Sequence, residues 1–172
     1  SLLLLASLLL ALIAGLKRKS HDNHWPQWTI LSLALLYMAV DEASSIHELL
    51  EWPARRLLGR HASGVLHFAW VIFGITFALA FALSYLKFIL SLPRPTQSRF
   101  ISAGAIFLSG AMGVELIGSY YASLHGEKNL PYSMLTAIEE GLEMTGVIVF
   151  INALLNYIID HYKEVRLRLD HF

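Results

Sequence analysis

Long apolar segments dominate this sequence and limit the folds that are open to it. Five stretches are mostly apolar, at about 1–16, 27–50, 64–90, 100–122 and 133–160. A helix needs about 20 such residues to cross the hydrocarbon core of a bilayer. Polar connectors with Pro and Gly separate the stretches, and no alternating strand pattern occurs. We therefore predict a single all-α domain over 1–172, an integral membrane bundle of about five transmembrane helices.

The composition agrees with a membrane protein. The mean hydropathy is +0.55 and only 15 % of residues are charged, against about a quarter in soluble domains. The chain has no Cys, which removes disulfides and thiolate metal sites. A net charge of zero gives no reason to expect nucleic-acid binding. The long apolar segments make the lipid bilayer the predicted partner. Because the chain starts within an apolar run, we expect native residues to precede Ser1.

The basic residues predict an orientation. With the N-terminus outside, nine of them lie on the inner side: Lys17, Arg18, Lys19, Lys87, Arg94, Arg99, Lys163, Arg166 and Arg168. Four lie outside: Arg55, Arg56, Arg60 and Lys128. The positive-inside rule then favours N-terminus out and C-terminus in. Aromatic anchors are expected at the inner rim (Trp25, Trp28, Tyr157, Tyr162) and at the outer rim (Trp52, Tyr120, Tyr121, Tyr132).

Acidic side chains interrupt three of the predicted spans at a similar depth. Asp41 lies roughly 20 Å from the inner end of the second span, and Glu115 about 22 Å along the fourth. Glu139 and Glu143 lie about 10–18 Å below the outer rim on the fifth. His67, near the outer start of the third span, belongs to the same layer. The sequence thus predicts a shared polar site in the outer half of the bilayer.

This layer holds carboxyls without a Lys or Arg at the same depth, although one ionised side chain at the bilayer centre costs about 2.5–3.5 kcal/mol or more. Bound cations, protonation or an opening to water would relieve that cost. Carboxylates with imidazole suit Fe, Mn or Zn, and oxygen ligands suit Ca or Mg. The predicted site for a divalent metal or other cation comprises Asp41, Glu42, His47, Glu48, His67, Glu115, Glu139, Glu140 and Glu143. On one continuous helix, Asp41, Ser44, Ser45 and Glu48 would share a face.

Other interpretations stay open. Carboxyls that hold protons would form a relay without a fixed metal. A b-type haem between His47 and His67 has only two histidines in its favour, and no Glu-x-x-His of the di-iron type occurs. The polar layer would also suit an accessory subunit of a larger respiratory or photosynthetic complex, with no chemistry of its own. No hydrolase or phosphate-binding motif is present, and enzymatic activity is left open.

Several segments together resemble a known family: "DEASSIHE", "FAWVIFG", "FISAGAIFLSGAMGVELIG" and "AIEEGLEMTGVIVFINALLNYI". They are similar to small, uncharacterised multi-pass integral membrane proteins of cyanobacteria and other bacteria. The resemblance covers about 28–158 and implies a bacterial inner or thylakoid membrane. It maps the family's acidic pattern onto Asp41, Glu42, His47, Glu48, Glu115, Glu139, Glu140, Glu143 and Met144. The chain lacks the His-x-x-x-His pair of the alkaline ceramidase and adiponectin-receptor hydrolases, which argues against a zinc amidase.

Overall fold

The fold is all-helical across the part that the computed structural model describes, residues 1–58, 64, 67–68 and 70–162. The α-helices are α1 (Leu2–Lys19), α2 (Trp25–Ser44), α3 (Glu51–Leu58), α4 (Val71–Ser91), α5 (Arg94–Leu108), α6 (Glu115–His125) and α7 (Leu130–His161). A 3₁₀ turn (Ile46–Leu50) precedes α3, and a π-helical segment (Ser109–Val114) joins α5 to α6. The description leaves out the side chains at 47–48, 51, 55 and 57–58.

Three helices in the described ranges are long and apolar enough to cross a membrane. They are Val71–Ser91, Arg94–His125, which comprises α5, the π segment and α6, and Leu130–His161. α1 and α2 occupy the positions of the first two predicted spans, but α1 carries three basic residues in its last turn. Spanning by α1 and α2, and the orientation of the bundle, therefore stay predictions. Lys163, Arg166 and Arg168, which support that orientation, lie outside the described residues.

The second predicted span is shorter than the sequence indicated. The helix ends at Ser44, because Ser45 adopts a left-handed conformation (φ 47°, ψ 41°) and its N–H donates to the Asp41 carbonyl at 2.7 Å. The chain then continues as the 3₁₀ turn and α3, where we predicted first helix and then a polar connector. The prediction of one continuous helix over 27–50 is wrong, and with it the shared face from Asp41 to Glu48.

Reciprocal hydrogen bonds join α1 to α2. Ser7 Oγ donates to the Ser32 carbonyl and Ser32 Oγ donates to the Ser7 carbonyl, each at 2.8 Å, and both serines are buried. Ser1 Oγ donates to Glu42 Oε2 at 2.9 Å at one end of this helix pair. Small polar residues of this kind let two helices approach closely in an apolar surrounding. The two helices therefore form an antiparallel hairpin that places Glu42 beside the start of α1.

An aromatic core closes the other end of the bundle. Trp28 is only 1 % exposed, and its ring lies 4.9 Å from that of Tyr157, 5.3 Å from Phe88 and 6.0 Å from Phe100. These residues come from α2, α7, α4 and α5, so one end of each of these helices meets here. Trp28 is consequently a core residue, and its predicted role as a rim anchor is wrong.

Candidate functional site

Two carboxyl groups from different helices meet inside the bundle. Glu115 is the first residue of α6, and Glu139 lies in the third turn of α7. Their side chains lie close enough to interact with each other by charge and hydrogen bonding, and both residues are half-buried. α6 ends at His125 and α7 begins at Leu130. At 1.5 Å per residue the pair therefore lies about 13–15 Å from that end of the bundle.

A glycine in the π segment sets the distance between these helices. A Cβ built on Gly110 would lie 2.8 Å from the Glu139 carbonyl oxygen and 3.2 Å from the Glu143 nitrogen. Only a residue without a side chain fits there, so the backbone of α7 packs directly on the π segment. Glu115 follows this segment at once. Single π turns are frequent at functional sites, and here the turn lies next to the acid pair.

A second close approach lies one helical turn further along α7. A Cβ on Gly146 would stand 2.7 Å from the Phe107 nitrogen and 2.8 Å from the Phe107 Cβ. Each helix contributes one of these glycines, because Gly110 lies on the π segment and Gly146 lies on α7. Small residues at helix crossings allow this kind of backbone contact in membrane proteins. The two contacts fix the register of α7 against the α5–α6 helix on both sides of Glu143.

Polar groups lie between the acid pair and the near end of the bundle. Tyr132, in the first turn of α7, lies within electrostatic range of Glu115, Glu139 and Glu127. Glu127, in the connection between α6 and α7, has its Oε1 3.6 Å from His67 Nε2. Tyr132 therefore stands between the buried pair and a more exposed acid–imidazole pair.

Ser119 holds the segment around His67 in place. Its Oγ accepts a hydrogen bond from the Phe68 N–H at 3.0 Å and donates to the Gly64 carbonyl at 3.4 Å. Ser119 is fully buried and lies one turn after Glu115 on α6. The same helix thus carries one acid of the pair and the residue that bonds to Gly64 and Phe68.

The other predicted site residues are distributed unevenly around this pair. Glu143 and the exposed Glu140 act electrostatically on Glu139 from the same helix. Glu42 is exposed and accepts from Ser1, while Asp41 is half-buried in the last turn of α2. The side chains of His47 and Glu48 lie outside the described part of the chain. The structure thus joins acids of α6 and α7, and the participation of the α2 end stays a prediction.

The described residues do not form a ready metal site. Among them, no group of three or more His, Asp or Glu side chains is placed to hold a metal ion. The predicted set also includes the undescribed side chains of His47 and Glu48, so the full ligand set remains a prediction. The pair itself is suited to another task. Two carboxyls that share a hydrogen bond hold one proton between them and release it when a cation replaces it.

Three residues at or near the acid pair were not predicted as site residues from the sequence. Tyr132 was considered only as a rim anchor, although it precedes Glu139 by seven residues and so shares its face of α7. Glu127 lies in a polar connector, where an acidic residue gives no sign of a site, and Gly110 is one of several glycines in an apolar stretch. The one signal for Gly110 was its position five residues before Glu115.

Comparison with known proteins places the chain in a family. A family model described as "Domain of unknown function (DUF8692)" matches residues 1–158. Neither the curated proteins nor the solved structures contain a match to the chain. The matched segment includes every helix up to the last turn of α7, and thus both carboxyls of the pair. The chain therefore belongs to the family described as a domain of unknown function, DUF8692.

Proposed function

We propose that this is a multi-pass membrane protein that binds a cation at the acid pair Glu115–Glu139, in exchange for the proton that the two carboxyls share. The observation that carries the proposal is the close approach of these two carboxyls from different helices, within helices long and apolar enough to span a bilayer. An acid pair at such a depth is costly for stability alone. Intramembrane carboxyls of this kind commonly mark ion or proton pathways.

The surroundings support exchange rather than a permanently neutral pair. Glu143 and Glu140 add negative charge from the same helix as Glu139. A cation that enters among these carboxyls would reduce their mutual repulsion, and a proton on one of them does the same. Tyr132 and the Glu127–His67 pair offer a polar connection from the pair toward the end of the bundle.

The same proposal extends to a divalent metal that binds more of the predicted ligands than the acid pair alone. Fe, Mn, Zn or Ca would take carboxylate oxygens of the pair and Glu143, with His67, Asp41 or the α2-end residues completing the shell. This arrangement would require the α2 end to approach the pair. We propose this for the predicted ligand set as a whole, in a bacterial inner or thylakoid membrane.

A hydrophobic carbodiimide tests the proposal, because it modifies protonated carboxyls in apolar surroundings. The purified protein in detergent is treated at neutral pH, and the modified residue is located by peptide mass spectrometry. We expect labelling at Glu139 or Glu115, and protection when Na⁺, Ca²⁺ or Mn²⁺ is added. Asp160→Asn is the matched control, since Asp160 is an exposed acid near the opposite end of α7, about 30 Å along the helix from Glu139, and should leave labelling unchanged.

Two results would overturn the proposal. One is no labelling at either carboxyl of the pair. The other is labelling that no cation reduces, which would leave a structural hydrogen bond without exchange. Protection by one divalent ion at stoichiometric amounts would support the metal version, and protection by any cation at high concentration would support general exchange.

The alternative function, an accessory subunit of a larger membrane complex, is favoured by the surface of α4. Leu83 is 72 % exposed and Phe77 64 %, and the buried residues of α4 are Val71, Tyr85 and Phe88. A photoreactive amino acid at position 83, activated in the native membrane, shows whether protein or lipid covers this surface. A protein adduct of defined mass would support the subunit role, whereas lipid adducts alone would count against it.

A further inference from the structure

A second polar site lies at the opposite end of the bundle from the acid pair. A cavity of about 220 Å³ opens where α1 ends, α2 begins, α4 ends and α7 ends. Lys17, Asp22, His24 and His161 line it together with aromatic residues, among them Trp28 and Tyr157. The proposed cation site does not involve this cavity.

One wall of the cavity is charged and well ordered by its contacts. Lys17 Nζ donates to Asp22 Oδ2 at 2.8 Å and lies 5.8 Å from the centre of the Tyr157 ring. Asp22 Oδ1 also accepts from the His24 N–H at 2.8 Å, which fixes the carboxylate. An ammonium group has three N–H donors. Asp22 accepts one of them among the described contacts, so a donor remains for a ligand.

The opposite wall is apolar. Trp28, Phe88 and Leu92 are buried core residues at the edge of the cavity. A site with cationic donors on one side and an apolar wall on the other suits an amphiphile rather than a small inorganic ion. The cavity also lies at the helix ends, where the headgroup region begins if the long helices span the bilayer.

The surroundings of the cavity are basic. A neighbouring cavity of about 470 Å³ shares Asp22 and is lined by Arg18, whose guanidinium lies 5.3 Å from the Trp25 ring centre. Lys17 and Arg18, one lining each cavity, lie in the last turn of α1. α5 begins at this end with Arg94. The two cavities together have room for a headgroup and its glycerol, with an excess of cations around them.

We propose that these cavities bind the phosphate headgroup of an anionic phospholipid, with Lys17 and Arg18 as its donors and the Trp28–Phe88 wall against its apolar part. Basic pockets between membrane helices recognise anionic headgroups in this way. Charge-assisted hydrogen bonds to the phosphate should hold an anionic lipid more tightly than a zwitterionic lipid with the same chains. The ammonium group of the zwitterionic lipid is repelled by the same basic surface.

Tryptophan fluorescence measures the binding, because Trp28 and Trp25 line the two cavities. The detergent-solubilised protein is titrated with short-chain phosphatidylglycerol, with phosphatidylcholine of the same chains, and with inorganic phosphate. We expect saturable binding of phosphatidylglycerol, and Kd values at least about tenfold weaker for the other two. Inorganic phosphate separates a lipid headgroup from free phosphate as the ligand.

Three variants locate the site. Lys17→Gln should weaken phosphatidylglycerol binding about tenfold, the effect of one charge-assisted hydrogen bond. Lys19→Gln removes the same charge two residues away, outside both cavities, and should change the Kd by less than about twofold. Arg18→Gln, at an exposed position, should also weaken binding and carries the test if Lys17→Gln does not fold.

Equal Kd values for phosphatidylglycerol and phosphatidylcholine would overturn the proposal. So would equal effects of Arg18→Gln and Lys19→Gln, because a diffuse surface charge would then explain the binding. Inorganic phosphate that binds as tightly as the lipid would overturn the lipid assignment.

Discussion

Gly110 lies against the backbone of Glu139, so that a Cβ at position 110 would stand 2.8 Å from the Glu139 carbonyl oxygen. We therefore expect Gly110→Ala to push α7 away from the π segment and to separate Glu139 from Glu115. Overpacking lowers the free energy of unfolding by about 1–3 kcal/mol. The better helix propensity of Ala offsets up to about 1 kcal/mol of that loss. The thermal unfolding midpoint of the detergent-solubilised protein should fall, and carbodiimide labelling of the pair should change.

Gly113→Ala is the matched control for this prediction. Gly113 lies in the same π segment, but a Cβ there would meet nothing within 4 Å. Its unfolding midpoint should stay the same or rise slightly, because Ala gains helix propensity without a clash. Equal losses in the two variants would mean that the π backbone itself, rather than its contact with α7, is sensitive to substitution.

The Ser7–Ser32 pair offers a prediction about the hairpin of α1 and α2. Each hydroxyl donates to the carbonyl of the other residue in a buried contact. We expect Ser7→Ala to lower stability by about 0.6 kcal/mol, the average for such bonds between membrane helices, and by no more than about 1.7 kcal/mol. Ser84→Ala is the control, because the exposed Ser84 bonds only within its own helix, to the Phe81 carbonyl. The losses of Ser7→Ala and Ser32→Ala should be close to additive in the double variant, because each hydroxyl bonds to a backbone carbonyl that the other substitution leaves in place. A Ser7→Ala loss no larger than that of Ser84→Ala would contradict the role of the pairing.

The Lys17–Asp22 ion pair predicts a loss of stability in acid. The hydrogen bond from Lys17 lowers the pKa of Asp22 below its usual value of 3.8, and the His24 N–H lowers it further. The unfolded chain therefore binds its proton at higher pH than the folded one. The contribution of the pair is fully present above about pH 4 and is lost as the pH falls through the folded pKa. At 28 % exposure of the carboxylate, this contribution should be about 1 kcal/mol or less.

Unfolding midpoints measured from pH 6 down to pH 3 check this. Asp22→Asn should lower stability at pH 6 and should flatten the acid part of the profile. Lys19→Gln, which changes the charge of the same turn without touching Asp22, should keep the wild-type profile. An Asp22→Asn profile that matches the wild type at every pH would contradict the role of the pair.

The sequence predicted the helices well because apolar length is a local property. The α7 helix over Leu130–His161 agrees with the predicted 133–160, with Pro131 in its first turn and Asn129 as its N-cap. The end of α2 was missed because no Gly or Pro marks Ser45, whose left-handed conformation is rare for a serine. Trp28 was misplaced because a Trp at a helix start reads as a rim anchor, whereas its burial depends on Phe88, Phe100 and Tyr157 from three other helices.

The candidate site was predictable in depth but not in contacts. Counting residues from the helix ends brings Glu115 and Glu139 to one level. Which acids touch depends on helix rotation and spacing, and those follow from Gly110, Gly146 and the π segment. A π turn inserts one residue into the helix and rotates everything after it, so a regular 100° count across 109–114 cannot place the Glu115 side chain.

Infrared difference spectroscopy tests the central claim most directly. Spectra of the purified protein in lipid are recorded before and after addition of Na⁺ or Ca²⁺ at constant pH. If Glu115 and Glu139 share a proton that a cation displaces, the carbonyl band of a protonated carboxyl will decrease as a carboxylate band appears. Glu139→Gln should abolish this change, and Asp160→Asn, at the opposite end of the same helix, should retain it. No decrease in the wild type, or the same decrease in Glu139→Gln, would contradict the account.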